Sequence, residues 1–528
     1  MTRLVLAFVL AACGAKPPPL DAPGDCAGFT VIEATIGDLQ AAIRAHRTTC
    51  RAIVQTYLDR IRALDQPQHL NAITHIAPDA LAQADAIDRA VAAGGALPPL
   101  FCAPLLVKDN YDTAGMPTTA GSIALANSYP PDDAFVVRKL RAAGAIVLAK
   151  TNMAEWAFVP WETQSSSNGI TANAYALDRV PAGSSGGTAS GVAANLGVAG
   201  LGTDTGNSIR GPSARLGLVG MRSTLGLVSR DGIVPLLLDL DVAGPMTRTV
   251  EDNARILDAI AGPDPADAMT VLGAGQRVAG YLAALDRGGL RGARIGVVRA
   301  LAPPGDTDAA IATLFERAIA DLAGRGAVVV DPFAIDNLER DLAALDICET
   351  FRLDTHAYFA SLGSSAPVTD VAAVLASGRL APYIRDIFTE RAAAPFDVPP
   401  EQRTPPCIRF PASPSRAAYR VDVLAAMDRA HVDAIIYPTW TKPPPLIARA
   451  AADYAGDNSQ LVAPPTGLPA ITVPMGMQDG VPVGLQLLAR PFAEATLYKL
   501  AYAYEQATHH RAPPPLFTPA GCQSRFER

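Results

Sequence analysis

Lysine is scarce in this chain of 528 residues: of 44 basic side chains only six are lysines, Lys16, Lys108, Lys139, Lys150, Lys442 and Lys499. A lysine inside an apolar run is therefore conspicuous. Charge in general is thin, at 18% of residues against 49% hydrophobic ones, which excludes a disordered chain and describes a globular protein with a large core. The net charge of −7, with no Lys/Arg run and no interleaving of basic and aromatic residues, leaves no footprint for nucleic acid, and no such partner is expected. The cysteines match no zinc spacing, there is no His-Glu-x-x-His helix and no G-x-x-x-x-G-K phosphate loop, so neither a metal nor another cofactor is expected.

Long hydrophobic runs are missing too. Leu4 to Leu10 is too short to span a bilayer, but with Arg3 before it the segment has the form of an export signal. It ends in Leu10-Ala11-Ala12-Cys13-Gly14, which resembles the lipobox of bacterial lipoproteins, where cleavage precedes the cysteine and its thiol receives the lipid. Residues 1–12 are thus expected to be a signal peptide and Cys13 the lipid attachment. Residues 13–28, with Pro17-Pro18-Pro19 among them, read as a stiff tether to a membrane of the cell envelope. Without Cys13 six cysteines remain (Cys26, Cys50, Cys102, Cys348, Cys407 and Cys522), an even number that in an exported chain predicts at least one disulfide.

Residues 29–522 read as one domain. Thr35 and Asp38 form a capping-box-like start for a helix with Ile36, Leu39 and Ile43 on one face. From about Arg51, Val54, Tyr57, Leu58, Ile61 and Leu64 recur at helical spacing. Past residue 100, short apolar runs such as Leu105-Leu106-Val107, Ile146-Val147-Leu148, Ile295 to Val298, Val328 to Val330, Ile435-Ile436 and Ile471 to Val473 read as buried strands. Ala-rich amphipathic stretches, for example Ala309 to Leu322, lie between them. The alternation predicts an α/β fold, a mixed central sheet covered by helices on both faces.

The stretch most suggestive of chemistry is Gly183-Ser184-Ser185-Gly186-Gly187 followed by Gly202-Thr203-Asp204-Thr205-Gly206-Asn207-Ser208-Ile209-Arg210. Two small-residue loops flank an Ala/Gly-rich segment, Thr188 to Gly200, that is expected to pack as a tight helix. Glycines let backbone N–H groups approach a ligand, and a serine among them can attack a carbonyl whose developing O⁻ those groups hold. Gly183 to Gly187 also fits G-x-S-x-G, which would make Ser185 the nucleophile. That elbow needs a strand before it and a histidine after it, and Arg179-Val180-Pro181-Ala182 is a poor strand. Lys108, ending the apolar run Pro104 to Val107, would be desolvated and so is a candidate base. Lys150 occupies a similar position, and charge and burial alone do not choose between the two.

The segment from Gly183 to Pro212 resembles the signature of the amidase signature family, and so does the spacing from Ser184 to Ser208. The resemblance extends to Leu106 to Asn110, Ala149 to Glu155, Gly467 to Ala470, Gly484 to Leu487 and Glu505 to Arg511, covering about residues 100–262 and 430–515. It implies a single large α/β amidase-signature domain in which Ser208 is the acylated nucleophile. Ser184, held by a cis peptide in the family, relays its proton, and Lys108 is the neutral base. The backbone N–H groups of Thr205, Gly206, Asn207 and Ser208 would form the oxyanion hole. Ser185, Asp204 and Arg210 would hold the loops, and Lys150 would be structural. The implied activity is hydrolysis of small or peptide-like amides to a carboxylate and an amine or ammonia.

The resemblance also permits a glutaminase subunit of a tRNA-dependent amidotransferase, an esterase, or a surface lipoprotein that keeps the fold only for binding. An export signal opposes the first of these, and the joint presence of Lys108, Ser184 and Ser208 opposes the last. Two departures stand out: Asn207 replaces the glycine that usually precedes the nucleophile, and Gly211 follows Arg210 where the family often has a bulkier residue. Asn tolerates left-handed backbone better than most non-glycine residues, and its side chain is expected to narrow or polarise the acyl pocket. The stretch 263–430, where resemblance is weak, is expected to shape the substrate pocket. Cys348 and Cys407 both lie in it and are the favoured disulfide pair.

Overall fold

In this computed structural model residues 29–276 and 280–519 are described. The expected signal peptide, Cys13 and the tether lie outside those residues, as do Cys26 and Cys522. Thirteen strands form among the described residues: β1 (Ile73–Ile76), β2 (Ala103–Lys108), β3 (Ala145–Thr151), β4 (Gln164–Ser165), β5 (Gly169–Ile170), β6 (Ala199–Asp204), β7 (Val219–Arg222), β8 (Val242–Thr247), β9 (Arg294–Val297), β10 (Val328–Val330), β11 (Ala434–Pro438), β12 (Ala470–Gln478) and β13 (Val481–Ala489). β4 and β5 pair by themselves, and the other eleven make one sheet in the order β1-β3-β2-β6-β8-β7-β12-β13-β11-β9-β10. The sheet is mixed. β2 runs parallel to β3 and β6, and β9 to β10 and β11, while β6–β8, β7–β12, β12–β13 and β11–β13 are antiparallel.

Every residue of β2, β3 and β6 is buried, so both faces of this central part are covered, as the continuous apolar runs of β2 and β3 require. Helix Gly186–Ala193 packs against β2 and β6, helix Phe135–Ala142 against β3, and helices Val250–Ile260 and Glu494–Thr508 against β8 and β12. At the N-terminal side, Thr35 caps the helix Ile36–Arg44 through a capping box with Asp38, and Ile36, Leu39 and Ile43 enter the main core. The next helix, Cys50–Leu64, is bonded to the start of β2 by the disulfide Cys50–Cys102.

Each apolar run read from the sequence falls in a strand, with Val298 just past the end of β9, but nothing in the sequence marks β1, β4, β5, β6, β7, β8 or β13. The helix expected over Thr188 to Gly200 ends at Ala193, and its last residues belong to β6. Glycine hides that strand: Gly200 and Gly202 lower β propensity, yet a Cβ at Gly200 would fall 2.4 Å from Thr188 Cγ2 and 2.9 Å from Leu106 O. Within 263–430, helices Phe351–Ser361, Val371–Ser377 and Arg385–Ala392 form a second core with Trp156, Phe158 and Val159. Trp156, Phe158, Phe351 and Phe388 meet there edge to face or tilted. The expected pair Cys348–Cys407 is bonded, with Cα atoms 5.6 Å apart.

Candidate active site

β2 and β6 lie side by side in the middle of the sheet, and their C-terminal ends bring Lys108 and Thr203 together. Lys108 Nζ donates to Ser184 Oγ at 2.7 Å and to Thr203 Oγ1 at 2.7 Å, and Asn110 Nδ2 donates to the same threonine oxygen at 3.1 Å. No part of Lys108 reaches solvent. Burial pulls its pKa down to about 7, against the attraction of the Asp241 and Asp204 carboxylates, so a large neutral fraction exists at neutral pH.

Ser184 follows a cis peptide, Gly183–Ser184. Only glycine fits before it, since a Cβ at Gly183 would meet Glu162 O at 2.1 Å and Val159 O at 2.7 Å. The chain is pinned on both sides: Gly183 N donates to Pro160 O at 2.8 Å, and Ala154 N to Ser184 O at 3.0 Å. The segment 154–160 doing this is the one packed against the helices of the second core. That is how the weakly resembling stretch reaches the site. Ser185 points its hydroxyl at Thr203 O, 3.2 Å away, and is fully buried where helix Gly186–Ala193 begins.

Ser208 sits in the turn between β6 and helix Arg210–Arg215. Asp204 organises this turn. Its Oδ2 accepts from Ile209 N at 3.2 Å and Arg210 Nε at 3.0 Å, and its Oδ1 from Arg210 Nη2 at 3.1 Å and Arg222 Nη1 at 3.0 Å. Burial would raise the Asp204 pKa, but the two guanidinium groups hold it below the ordinary carboxylate value. Arg210 also donates to Gly206 O at 2.8 Å and Ser459 O at 2.6 Å, tying the turn to the C-terminal part of the chain. Thr205 hydrogen-bonds Asp241 through its hydroxyl. Among the described residues, no hydrogen bond uses the backbone N–H of Gly206, Asn207 or Ser208. Such N–H groups can receive an oxyanion.

The Ser208 hydroxyl donates to Asn207 Oδ1 at 3.2 Å, and no hydrogen bond described in the structure joins it to Ser184. Asn207 has no positive φ, so the left-handed tolerance expected of it is not called upon. Its side chain is wedged: Nδ2 donates to Pro160 O at 3.3 Å, and a Cβ at Gly211 would come 2.9 Å from that nitrogen and 3.2 Å from Trp440 Cζ2. The two departures from the family pattern are therefore one arrangement, the small residue at 211 making room for the large one at 207. Gly211→Ala should cost on the order of 1 kcal/mol in stability and lower activity. In Asn207→Gly/Gly211→Ala the combined stability loss should fall short of the sum by about 0.5 kcal/mol or more, measured by a double-mutant cycle. Strict additivity would remove the coupling.

Lys150 is engaged elsewhere. Its Nζ donates to Tyr111 O at 2.7 Å, Pro117 O at 3.2 Å and Thr118 Oγ1 at 3.1 Å, and lies 3.3 Å from Asp109 Oδ1. It braces the loop that leaves β2. Thr203, Asn110, Arg222 and Asp241 complete the site without standing out in the sequence as members of it. Of these only Arg222, a charge ending the apolar run Leu218 to Met221, carried a signal of the kind that singled out Lys108.

Fold and site together define an amide-bond hydrolase. A family model described as Amidase matches residues 52–498, and the chain belongs to that family, the amidase signature enzymes. A glutamyl-tRNA(Gln) amidotransferase subunit from Moorella thermoacetica is 37% identical over 471 residues, 87% of this chain and 93% of the relative. The native peptide amidase of Stenotrophomonas maltophilia has a TM-score of 0.79 at 38% identity, covering 92% of this chain and 99% of that one. A peptide amidase in complex with the competitive inhibitor chymostatin has a TM-score of 0.81 at 38% identity, covering 92% of this chain and all of that one.

Proposed function

We propose that the chain hydrolyses small or peptide-like amides through an acyl-enzyme on Ser208, with Ser184 as proton relay and Lys108 as base. The observation that carries this reading is the buried Lys108 amine, near-neutral in pKa and 2.7 Å from Ser184 Oγ. On substrate binding Ser208 Oγ turns from Asn207 Oδ1 towards Ser184 and attacks the carbonyl. Ser184 takes the Ser208 proton and passes its own to Lys108, and the N–H groups of Gly206, Asn207 and Ser208, with Thr205 at the start of the turn, hold the oxyanion. The amine leaves only when protonated, and the relay returns that proton. Water then attacks the acyl-enzyme by the same route. Asp204 and Arg210 keep the turn in shape, and Ser185 fixes the Ser184 loop to β6.

Sequence identity does not separate the peptide amidase from the amidotransferase component, at 38% and 37%. The export-like N-terminus and the disulfides Cys50–Cys102 and Cys348–Cys407 favour an amidase working alone in an oxidising compartment over a component of an assembly serving aminoacyl-tRNA. The test is ammonia or amine release by the purified protein from peptide C-terminal amides, simple aliphatic amides, glutamine and matched esters. Release from peptide amides in excess over glutamine is expected. Hydrolysis of glutamine alone would overturn the substrate reading and leave the nucleophile untouched.

We also propose that Cys13 becomes the lipidated N-terminus, anchoring the enzyme to a membrane of the cell envelope. What supports it is Leu10-Ala11-Ala12-Cys13 after the apolar run, together with the disulfides. Cys13→Ala should move the enzyme from the membrane fraction to the soluble one, or halt its processing. Unchanged partition, with no lipid on the mature terminus, would refute the anchor.

A further inference from the structure

A cavity of about 70 Å³ lies where the last residue of helix Arg210–Arg215, the segment after β11 and the β12–β13 hairpin meet. Its walls include Arg179, Arg215, Trp440, Lys442 and Gln478, and neither Lys108, Ser184 nor Ser208 lines it. Arg215 is 2% exposed, and its guanidinium lies over the Trp440 ring, 3.7 Å from the centroid. None of its three guanidinium nitrogens has a hydrogen-bond partner, and no carboxylate stands within ion-pair distance of it among the described residues. A buried guanidinium with every donor unmet is costly, and proteins normally supply it a planar acceptor.

The surrounding charges do not supply one. The Asp457 carboxylate, which acts on Arg215 from a distance, is taken up by Tyr454, Ser459 and Gln460. Asp479 also lines the cavity, but it is exposed at the hairpin turn and makes no ion pair with Arg215. Arg179, whose Nη1 donates to Pro444 O, and half-buried Lys442 add positive charge to the same cavity. Gln478 Oε1 is a further buried atom without a partner. Burial lowers the Arg215 pKa to about 9, which leaves it charged at neutral pH.

We infer that this cavity is a second, non-catalytic site for a small carboxylate, bound by the Arg215 fork with Lys442 and Arg179 at its rim. The size admits a carboxylate head group, and the planar fork matches it in two parallel hydrogen bonds. The site also touches the nucleophile's support. Trp440 Nε1 donates to Gly211 O at 3.1 Å, in the first turn of the helix that follows Ser208, and Arg215 ends that helix. At 1.5 Å per residue the two ends are about 8 Å apart. An acid product of the reaction and an unrelated carboxylate would be recognised alike.

The test titrates the full protein with acetate and with N-acetylglycine, a peptide-like acid, against sodium chloride at equal ionic strength. Thermal midpoint and tryptophan fluorescence are the readouts. Both carboxylates should raise the midpoint saturably beyond chloride and perturb the Trp440 signal. Tighter binding of N-acetylglycine would point to product, equal binding to any small carboxylate. The response should persist in protein pretreated with fluorophosphonate and vanish in Arg215→Met. If Arg215→Met does not fold, Arg179→Gln/Lys442→Ala serves instead and should weaken the affinity at least about tenfold, two lost charge contacts at ~1 kcal/mol each. Carboxylates indistinguishable from chloride, a response abolished by the fluorophosphonate, or one surviving these substitutions would each overturn the site.

Discussion

Ser208→Ala should leave a folded protein whose amide hydrolysis is lower by at least about 10⁴-fold and which takes up no fluorophosphonate. Deleting the nucleophile of a serine hydrolase removes the acyl-enzyme route outright, and what remains is oxyanion stabilisation and binding. The fold has little to lose, because the Ser208 hydroxyl makes one hydrogen bond, to its neighbour Asn207, worth about 1 kcal/mol. The near loss of rate would thus be chemical, verified by an unchanged thermal midpoint alongside the rate. Ser185→Ala is the opposing case. Its hydroxyl is bonded to Thr203 O and is turned to β6, so labelling should survive at a reduced rate. A folded Ser208→Ala protein with full activity, beside an inactive Ser185→Ala, would transfer the nucleophile to Ser185.

Lys108→Ala and Ser184→Ala should each lose at least about 10²-fold in kcat, or roughly 2.7 kcal/mol of transition-state stabilisation. The double variant should lose far less than the product of the two, since both act on one proton path. The pH profile separates this from simple damage. A protonated Lys108 cannot accept the relayed proton, so activity should rise with pH through about 7 and then level off. That acid limb should be missing from Lys108→Ala, and its persistence there would assign it to another group. Amide cleavage should suffer more than ester cleavage, because an amine must be protonated to leave and an alkoxide depends on it less. Lys150→Ala, which breaks a buried ion pair and three further hydrogen bonds, should destabilise by about 3–5 kcal/mol and still label whatever stays folded.

Legibility in the sequence followed physical cause. Strands buried on both faces with bulky side chains, such as β2 and β3, announce themselves as apolar runs. β6 does not, because the helix lying on it demands glycine where a strand would show valine. Lys108 stood out as a rare charge at the end of such a run, but Thr203, which shares its amine, looks like any threonine in a small-residue loop. In the sequence only resemblance sets Lys108 apart from Lys150, and the geometry that separates them is the company each keeps: Ser184 in one case, Asp109 and a loop's carbonyls in the other. Asn207 and Gly211 were each visible as departures. That they are one packing solution was not, because the contact depends on the turn of a helix and on Trp440, which arrives from more than two hundred residues away.

The bond between Cys348 and Cys407 fixes the two ends of a stretch 59 residues apart in sequence at a Cα separation of 5.6 Å. Between those posts lie the helices that lean on segment 154–160. A closed loop tolerates change in length cheaply, about 0.6 kcal/mol for each doubling. The stretch can therefore change in length at little cost while the bond keeps its ends in place and its helices stay against segment 154–160. For the engineer the same posts mark natural splice points at which this helical stretch can be exchanged as a unit.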